Sequence, residues 1–285
     1  GFAGEEIATL AREFNKFPNA IIHLWQDHIN CIGGSAAIIS GSKKVILSGR
    51  SMSPGSRDIF FDTSHYNPHY LPIYKYILSL KNFHLTNNST AGAASYKDWL
   101  DLRENEISVI KNGYEFPSEE EMIQIKSKSS KYRSFINVAE DEILIGSVTR
   151  MIEYKQPLIL LDIAKALLND NQNISFLFIG RGPLEKKFDR MIKENSLLRE
   201  KVTYIPSEID ILPAIASMDI FLLTSQIEGL PNVLIESQCV GVPPISTDVG
   251  GVSEIIQDNI NGLLVEDLGS INQFINKVYK LKNNK

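Results

Sequence analysis

From Glu142 onward the chain alternates short apolar runs with helix-like segments, and this rhythm constrains the fold more than any other feature. "EILIGSV", "SFLFIG", "VTYI", "IFLLTS", "PPIST" and "GLLV" read as strands. "PLILLDIAKALL", "LEKKFDRMIKEN", "ILPAIASM", "PNVLIESQCV" and "VSEIIQ" lie between them and read as helices, with "SINQFINKVYKL" after the last strand. Near-continuous apolar strands joined by helices belong to a parallel sheet buried on both faces. The expectation is a doubly wound α/β domain.

A weaker copy of the rhythm fills the first 113 residues. Its strands are "AIIHLW", "KKVILSG", "FHLTNN" and "ISVIKNG"; its helices are "EEIATLAREF", "GSAAIIS", "PIYKYILSL" and "TAGAASYKDWL". These few strands make a thin Rossmann-like domain, and "GFAGEEIATLAREF" reads like the middle of a helix, so the first domain is expected to be incomplete. The boundary is expected at "NGYEFPSEEE", giving domains 1–114 and 115–285. Asn112-Gly113 is a turn signal and Pro117 interrupts regular structure. Ser118 and Glu121 have capping-box spacing, so a helix should start there.

Composition disfavours some functions. A formal net charge of −5 disfavours a nucleic-acid partner, which needs a basic face. The basic stretch "KSKSSKYR" reads as a solvated helix end. Cys31 and Cys239 have no metal-like spacing and fit a reduced, cytoplasmic setting. His65 and His69 are four apart, but Pro68 between them argues against a helical metal pair. No Asp-x-Asp pair, Gly-x-Ser-x-Gly elbow or P-loop occurs, and "GRGP" lacks the full dinucleotide fingerprint.

The richest stretch is "SQIEGLPNVLIESQCVGVPPISTDVGG", Ser225 to Gly251. A buried strand ends at Ser225, the chain turns, and Pro231 suits the first helical position. Gly241 and Pro243 should end the helix. A helix start at the carboxyl end of a parallel strand favours a phosphate. Glu236 stands five residues past Pro231, on the order of 7 Å along the axis, a suitable offset from a phosphate to a ribose diol. Glu228, on the loop, can face a sugar, and Gly229 permits close backbone approach. Read alone, the two glutamates are a loop carboxylate and a solvated helix residue; the Gly-Leu-Pro context after a buried strand favours the ligand-binding reading instead.

"EGLPNVLIE" resembles the Glu-x7-Glu motif of retaining GT-B glycosyltransferases, closest to the large family-4 group (glycosyl transferases group 1). "VIKNGYE", "IGSVTRMIEYKQP", "FLFIGRGPLE" and "PISTDVGGVSEIIQDNINGLLV" resemble further segments of that family in the same order, from about Ile107 to Val265. The resemblance implies a GT-B architecture of two Rossmann-like domains facing a cleft, the N-terminal one incomplete. It implies that Arg150 and Lys155 hold the donor diphosphate, and that Glu228 contacts the donor sugar or the region near its reacting carbon. It further implies that Glu236 grips the ribose and that Gly229, Leu230, Pro231, Asn232 and Val233 line the donor. Cations set around a leaving diphosphate stabilise its growing charge without reorganising. Where the family has a His near donor sugar and acceptor, this chain has Arg50, which reads either as a contact to a phosphate or acidic acceptor or as a structural ion-pair residue.

The function so implied is transfer of a hexose-type sugar from a nucleotide sugar, UDP favoured, to a glycan or glycolipid hydroxyl. Retention and metal independence are expected, in bacterial surface-glycan synthesis. The expected location is the cytoplasm at the inner membrane face, with peripheral membrane association through sequence upstream. Competing readings are a noncatalytic nucleotide-sugar-binding module of a larger assembly and an epimerase or phosphorylase on a related fold.

Overall fold

Strand residues here are buried to both sides. In a computed structural model that describes residues 2–57, 69–170, 173–206 and 210–283, consecutive side chains of one strand enter different cores. Leu144 packs with Ala214, Phe221 and Leu234, whereas the next residue, Ile145, packs with Leu160, Phe176 and Ile220. Phe176 and Phe178 likewise face one core and Leu177 and Ile179 the other. This two-sided burial is why the strands read as continuous apolar runs.

The chain divides into two compact units, Gly1–Asn112 with Ile227–Leu230, and Gly113–Gln226 with Pro231–Lys285. The first runs α1 (Phe2–Asn15), β1 (Ile21–Trp25), α2 (Asp27–Ile39), β2 (Lys44–Gly49), α3 (Pro54–Arg57), α4 (Tyr70–Leu78), β3 (Phe83–Asn87), α5 (Thr90–Leu100) and β4 (Ile107–Val109). Its strands pair in parallel in the order β1-β2-β3-β4. Tyr74 and Tyr96 are fully buried, and both hydroxyls donate to the buried carboxylate of Asp27.

The second unit begins with α6 (Glu119–Phe135), β5 (Ile143–Val148), α7 (Pro157–Asp170), β6 (Ile174–Ile179), α8 (Glu185–Glu194) and α9 (Ser196–Lys201). It continues through β7 (Val202–Ile205), α10 (Ile211–Ala216), β8 (Ile220–Leu223), α11 (Asn232–Cys239), β9 (Pro244–Thr247), β10 (Leu263–Val265) and α12 (Ile271–Lys282). The expected capping box opens α6: Glu121 N–H donates to Ser118 Oγ, and Ser118 N–H donates to Glu121 Oε2. The parallel strands follow the order β10-β9-β8-β5-β6-β7. Counted from β5, this is the doubly wound order whose direction reverses between its first and fourth strands. β5 and β8 are those strands, and their register pairs Ile145 with Ile220. The α/β class with parallel, Rossmann-like sheets thus stands in both units.

Two local expectations change. "VSEIIQ" forms only a 3-10 turn, Val252–Glu254, instead of a helix. The segment is too short to repay nucleation, and the Asn261 side chain takes the Gln257 N–H and the Ile255 carbonyl out of any helical ladder. Pro231 is the residue before α11 rather than its first helical residue, with extended backbone. His69 directly precedes α4, so it is not within a helix; His65 lies outside the described residues.

Candidate active site

The switch between β5 and β8 is where an open parallel sheet offers a crevice at its carboxyl edge, and the loops leaving both strands carry the expected site residues. After β5 the backbone is stitched to the turn after β6. Thr149 N–H donates to Ile179 O at 3.0 Å, Met151 N–H to Arg181 O at 2.8 Å, and Leu184 N–H to Met151 O at 2.9 Å. The glycines of "GRGP" make this possible. Gly180 and Gly182 have φ of +146° and +155°, and an added Cβ would come within 1.8 Å of Thr149 O and 2.4 Å of Met151 O respectively. The motif therefore aims the Arg150 loop.

Arg150 is exposed and donates from Nη2 to the Tyr154 hydroxyl. Its guanidinium carbon lies 5.7 Å from the centroid of the Tyr154 ring, and Lys155 Nζ lies 5.7 Å from the same centroid. One aromatic ring thus gathers both expected diphosphate cations, a cation–π arrangement. A single 3-10 turn, Glu153–Lys155, carries the tyrosine, and Gln156, left-handed at φ 48°, ends it before Pro157 starts α7. This turn is tied to the end of β8. Thr224 Oγ1 donates to the carbonyls of Lys155 and Gln156 at 3.1 and 3.2 Å, and Gln226 N–H donates to Tyr154 O at 2.8 Å.

Beyond Thr224 comes the loop of Glu228. Ser225 is fully buried, and its carbonyl accepts from Thr247 Oγ1 at 2.6 Å. Glu228 is 7% exposed, far from a solvated loop carboxylate, and Gly229, Leu230 and Pro231 are buried. Leu230 O accepts from Asn112 Nδ2 at 3.1 Å, and Asn112 Oδ1 accepts from Asn88 Nδ2 at 3.3 Å. Among the described residues, six buried side-chain polar atoms lack a hydrogen-bond partner. Four of them (Ser147 Oγ, Thr149 Oγ1, Gln156 Oε1 and Ser225 Oγ) sit at the ends of β5 and β8 or in the loops that follow. Buried polar atoms are normally satisfied, so this edge is where the described residues leave polar groups available to a ligand or water.

α11 presents its first residues at the same edge, with Asn232 exposed and Val233 half-buried. Leu234 and Ser237 turn into the core, and Ser237 Oγ donates to Leu234 O at 2.9 Å. Glu236 lies one residue round from that face, half-buried, and burial raises its carboxyl pKa above the ordinary value. The Tyr114 hydroxyl and the Cys239 thiol are also raised, chiefly by burial, with the Glu236 charge contributing to both. Val240 follows the helix and Gly241, at φ +80°, takes the left-handed conformation expected of it.

Arg50 is the first residue after β2 in the other unit and stacks on Trp25. It forms no ion pair among the described residues. Among those residues, too, no three His, Cys, Asp or Glu side chains converge as a metal site, and no helix is long and apolar enough to cross a membrane. Tyr154, Thr224, Gln226 and Tyr114 were not legible as site residues. A tyrosine between two cations in a loop has no periodicity, and Thr224 and Gln226 act through strand-end hydrogen bonds.

Comparisons with known proteins agree with this fold. A Salmonella typhi protein, "Vi polysaccharide biosynthesis protein VipC/TviE", is 29% identical over 252 residues, covering 88% of this chain and 42% of that protein. The Escherichia coli "UDP-Gal:alpha-D-GlcNAc-diphosphoundecaprenol alpha-1,3-galactosyltransferase" is 25% identical over 181 residues, covering 63% of this chain and 46% of that protein. The chain spans about half the length of these curated relatives. Among solved structures, Anabaena Alr3699/HepE in complex with UDP and glucose superposes with a TM-score of 0.80 at 19% identity, covering 100% of this chain and 74% of that one. TarM superposes at 0.74 with 19% identity, covering 98% and 51%. These likenesses show the GT-B fold. The family model for glycosyl transferases group 1 matches residues 128–285, more than half of the chain and nearly all of the unit that holds Arg150, Lys155 and Glu236, and the chain belongs to that family.

Proposed function

We propose that this chain belongs to a retaining glycosyltransferase that moves a hexose-type sugar from UDP to a hydroxyl of a bacterial surface glycan or glycolipid. The observation that carries it is the pair of cations, Arg150 and Lys155, held on one ring at the end of β5. UDP is favoured by the name of the Escherichia coli relative and the UDP in the Anabaena structure. In the reaction the bond between the sugar's anomeric carbon and the β-phosphate oxygen breaks, and its electron pair stays on the phosphate. The acceptor oxygen bonds that carbon from the same face, and its proton passes to the departing phosphate. Arg150 and Lys155 neutralise the charge gained by the diphosphate; Glu228 contacts the donor sugar; Glu236 accepts from the ribose diol; Gly229 to Val233 line the donor. Metal independence, cytoplasmic placement at the inner membrane face and peripheral membrane association are parts of the same proposal.

Thermal unfolding in UDP, GDP, ADP and their sugars tests it. UDP at a hundredfold its Kd adds about 2.7 kcal/mol, which for a chain of this size raises Tm by roughly 5 °C or more. No response to any nucleotide refutes the reading. Binding without transfer by the full-length protein, with glycan and lipid-linked acceptors supplied, leaves the noncatalytic module in its place. Turnover that vanishes with chelator refutes metal independence.

Tyr154 should act by positioning. Tyr154→Phe removes one hydrogen bond to Arg150 and should lower kcat about three- to tenfold, while Tyr154→Leu, which also removes the ring, should lower it further. Steady-state kinetics at saturating donor separates this from a change in KM.

A further inference from the structure

The unit containing β1 and β2 carries a second polar and aromatic group at its own carboxyl edge. β1 is an edge strand with Leu24 turned into the core and His23 and Trp25 turned out, Trp25 being 48% exposed. The two rings lie 4.9 Å apart. His23 Nε2 is hydrogen-bonded to Ser48 Oγ at 2.7 Å, and Ser48 Oγ to Thr86 Oγ1 at 2.8 Å, so three strands fix the ring. Arg50 completes the stack, with Cζ 4.6 Å from the centre of the Trp25 ring. Gln26, between β1 and α2, is held at φ 73°, ψ 154°, a region ordinarily left to glycine, and such strain collects at functional sites.

The Arg50 guanidinium is half-buried with no carboxylate partner among the described residues, and burial lowers its proton affinity. A partly desolvated cation with no counter-ion is a costly arrangement that an anionic ligand relieves. Its stacked face is occupied by Trp25, which leaves the edge of the fork, where the donors point, for a planar or tetrahedral oxyanion. Within the same unit, the carbonyl of Arg50 lies against Gly229: a Cβ there would stand 2.4 Å from Arg50 O. Arg50 is therefore packed on the residue next to Glu228.

We infer that Arg50, held on the Trp25 ring, forms the subsite for an acidic acceptor sugar and binds its carboxylate or phosphate. This rests on the glycosyltransferase reading and names its acceptor class. A neutral sugar would leave the guanidinium uncompensated.

The test is a titration of the protein followed by tryptophan emission, with glucuronate, glucose 6-phosphate, inorganic phosphate and glucose as probes, and UDP affinity measured on the same samples. Trp25→Phe assigns the signal, since the other tryptophan, Trp99, is packed against Tyr74 and Tyr96. Glucuronate or glucose 6-phosphate should change the emission and glucose should not; whichever acid responds names the anion. Arg50→Met should weaken that acid's binding about tenfold, and Arg50→Lys less. A response to glucose as strong as to the acids, or wild-type acid affinity in Arg50→Met, overturns the inference, as does inorganic phosphate binding as tightly as glucose 6-phosphate without a response to glucuronate. If UDP fails to bind while the acids still do, the donor reading falls and the anion subsite stands.

Discussion

Replacing Arg150 or Lys155 by alanine is expected to lower kcat by about 100- to 1000-fold, with a far smaller loss of donor affinity. In the proposed donor complex both cations would face a diphosphate that is already charged before reaction, and whose charge grows as the sugar leaves. Interactions that strengthen only then raise kcat, whereas uniform binding lowers KM alone. Tyr154 holds both cations on its ring, and Thr224 and Gln226 fix the turn that carries it. The clamp is therefore preorganised rather than assembled on binding. The assay is release of nucleoside diphosphate by the full-length enzyme with an accepted acceptor, beside donor affinity from calorimetry. Wild-type kcat in both variants at saturating donor would remove the pair from the leaving-group role.

Glu236→Ala is expected to weaken nucleotide binding roughly 10- to 100-fold, since hydrogen bonds to a charged group contribute about 1.5–3 kcal/mol. The same residue should cost the free protein stability. Burial raises its carboxyl pKa above the ordinary value of 4.5, so the folded state keeps this proton to higher pH than the unfolded chain. Stability from this group is then greatest below the unfolded-chain pKa and falls as pH rises through the folded one. At neutral pH the charged carboxylate is a penalty, which on the proposed reading the ribose hydroxyls would offset when nucleotide binds. Glu236→Gln should therefore raise the Tm of the free protein at pH 7, with the gain shrinking below pH 4.5. It should also lose part of the stabilisation that UDP gives. Unchanged nucleotide affinity in Glu236→Ala would remove it from the ribose, and a lower Tm for Glu236→Gln at pH 7 would refute the buried-carboxylate account.

The fold was legible wherever local chemistry and burial coincide. β7 is the run "VTYI" itself, and the strands β5 to β10 fall on apolar runs because both faces of their sheet are covered. The helix at Ser118 was legible because its cap is made by residues three apart in sequence. The placement of Arg150, Lys155 and Glu236 at one sheet edge follows from the order of strands and helices. "VSEIIQ" was misread because its apolar spacing is helical, while the Asn261 side chain, from farther along, captures its backbone groups.

What the sequence by itself determined is thus the set of elements and the residue types at their ends, because hydrogen-bonded periodicity and capping act over a few residues. Only the tertiary structure decided which of these ends meet and how deeply they are buried. Thr224 reaches across the β5–β8 reversal to hold the Lys155 turn, a contact 69 residues apart in sequence. Burial encloses Glu228 and half-covers Glu236, so neither is the solvated carboxylate that its sequence position alone suggests. The same holds for Arg50, which composition counts as one surface charge: the pairing of β1 with β2 sets it on Trp25, with no ion-pair partner among the described residues. Desolvation and stacking depend on neighbours that the fold supplies, and no local pattern encodes them.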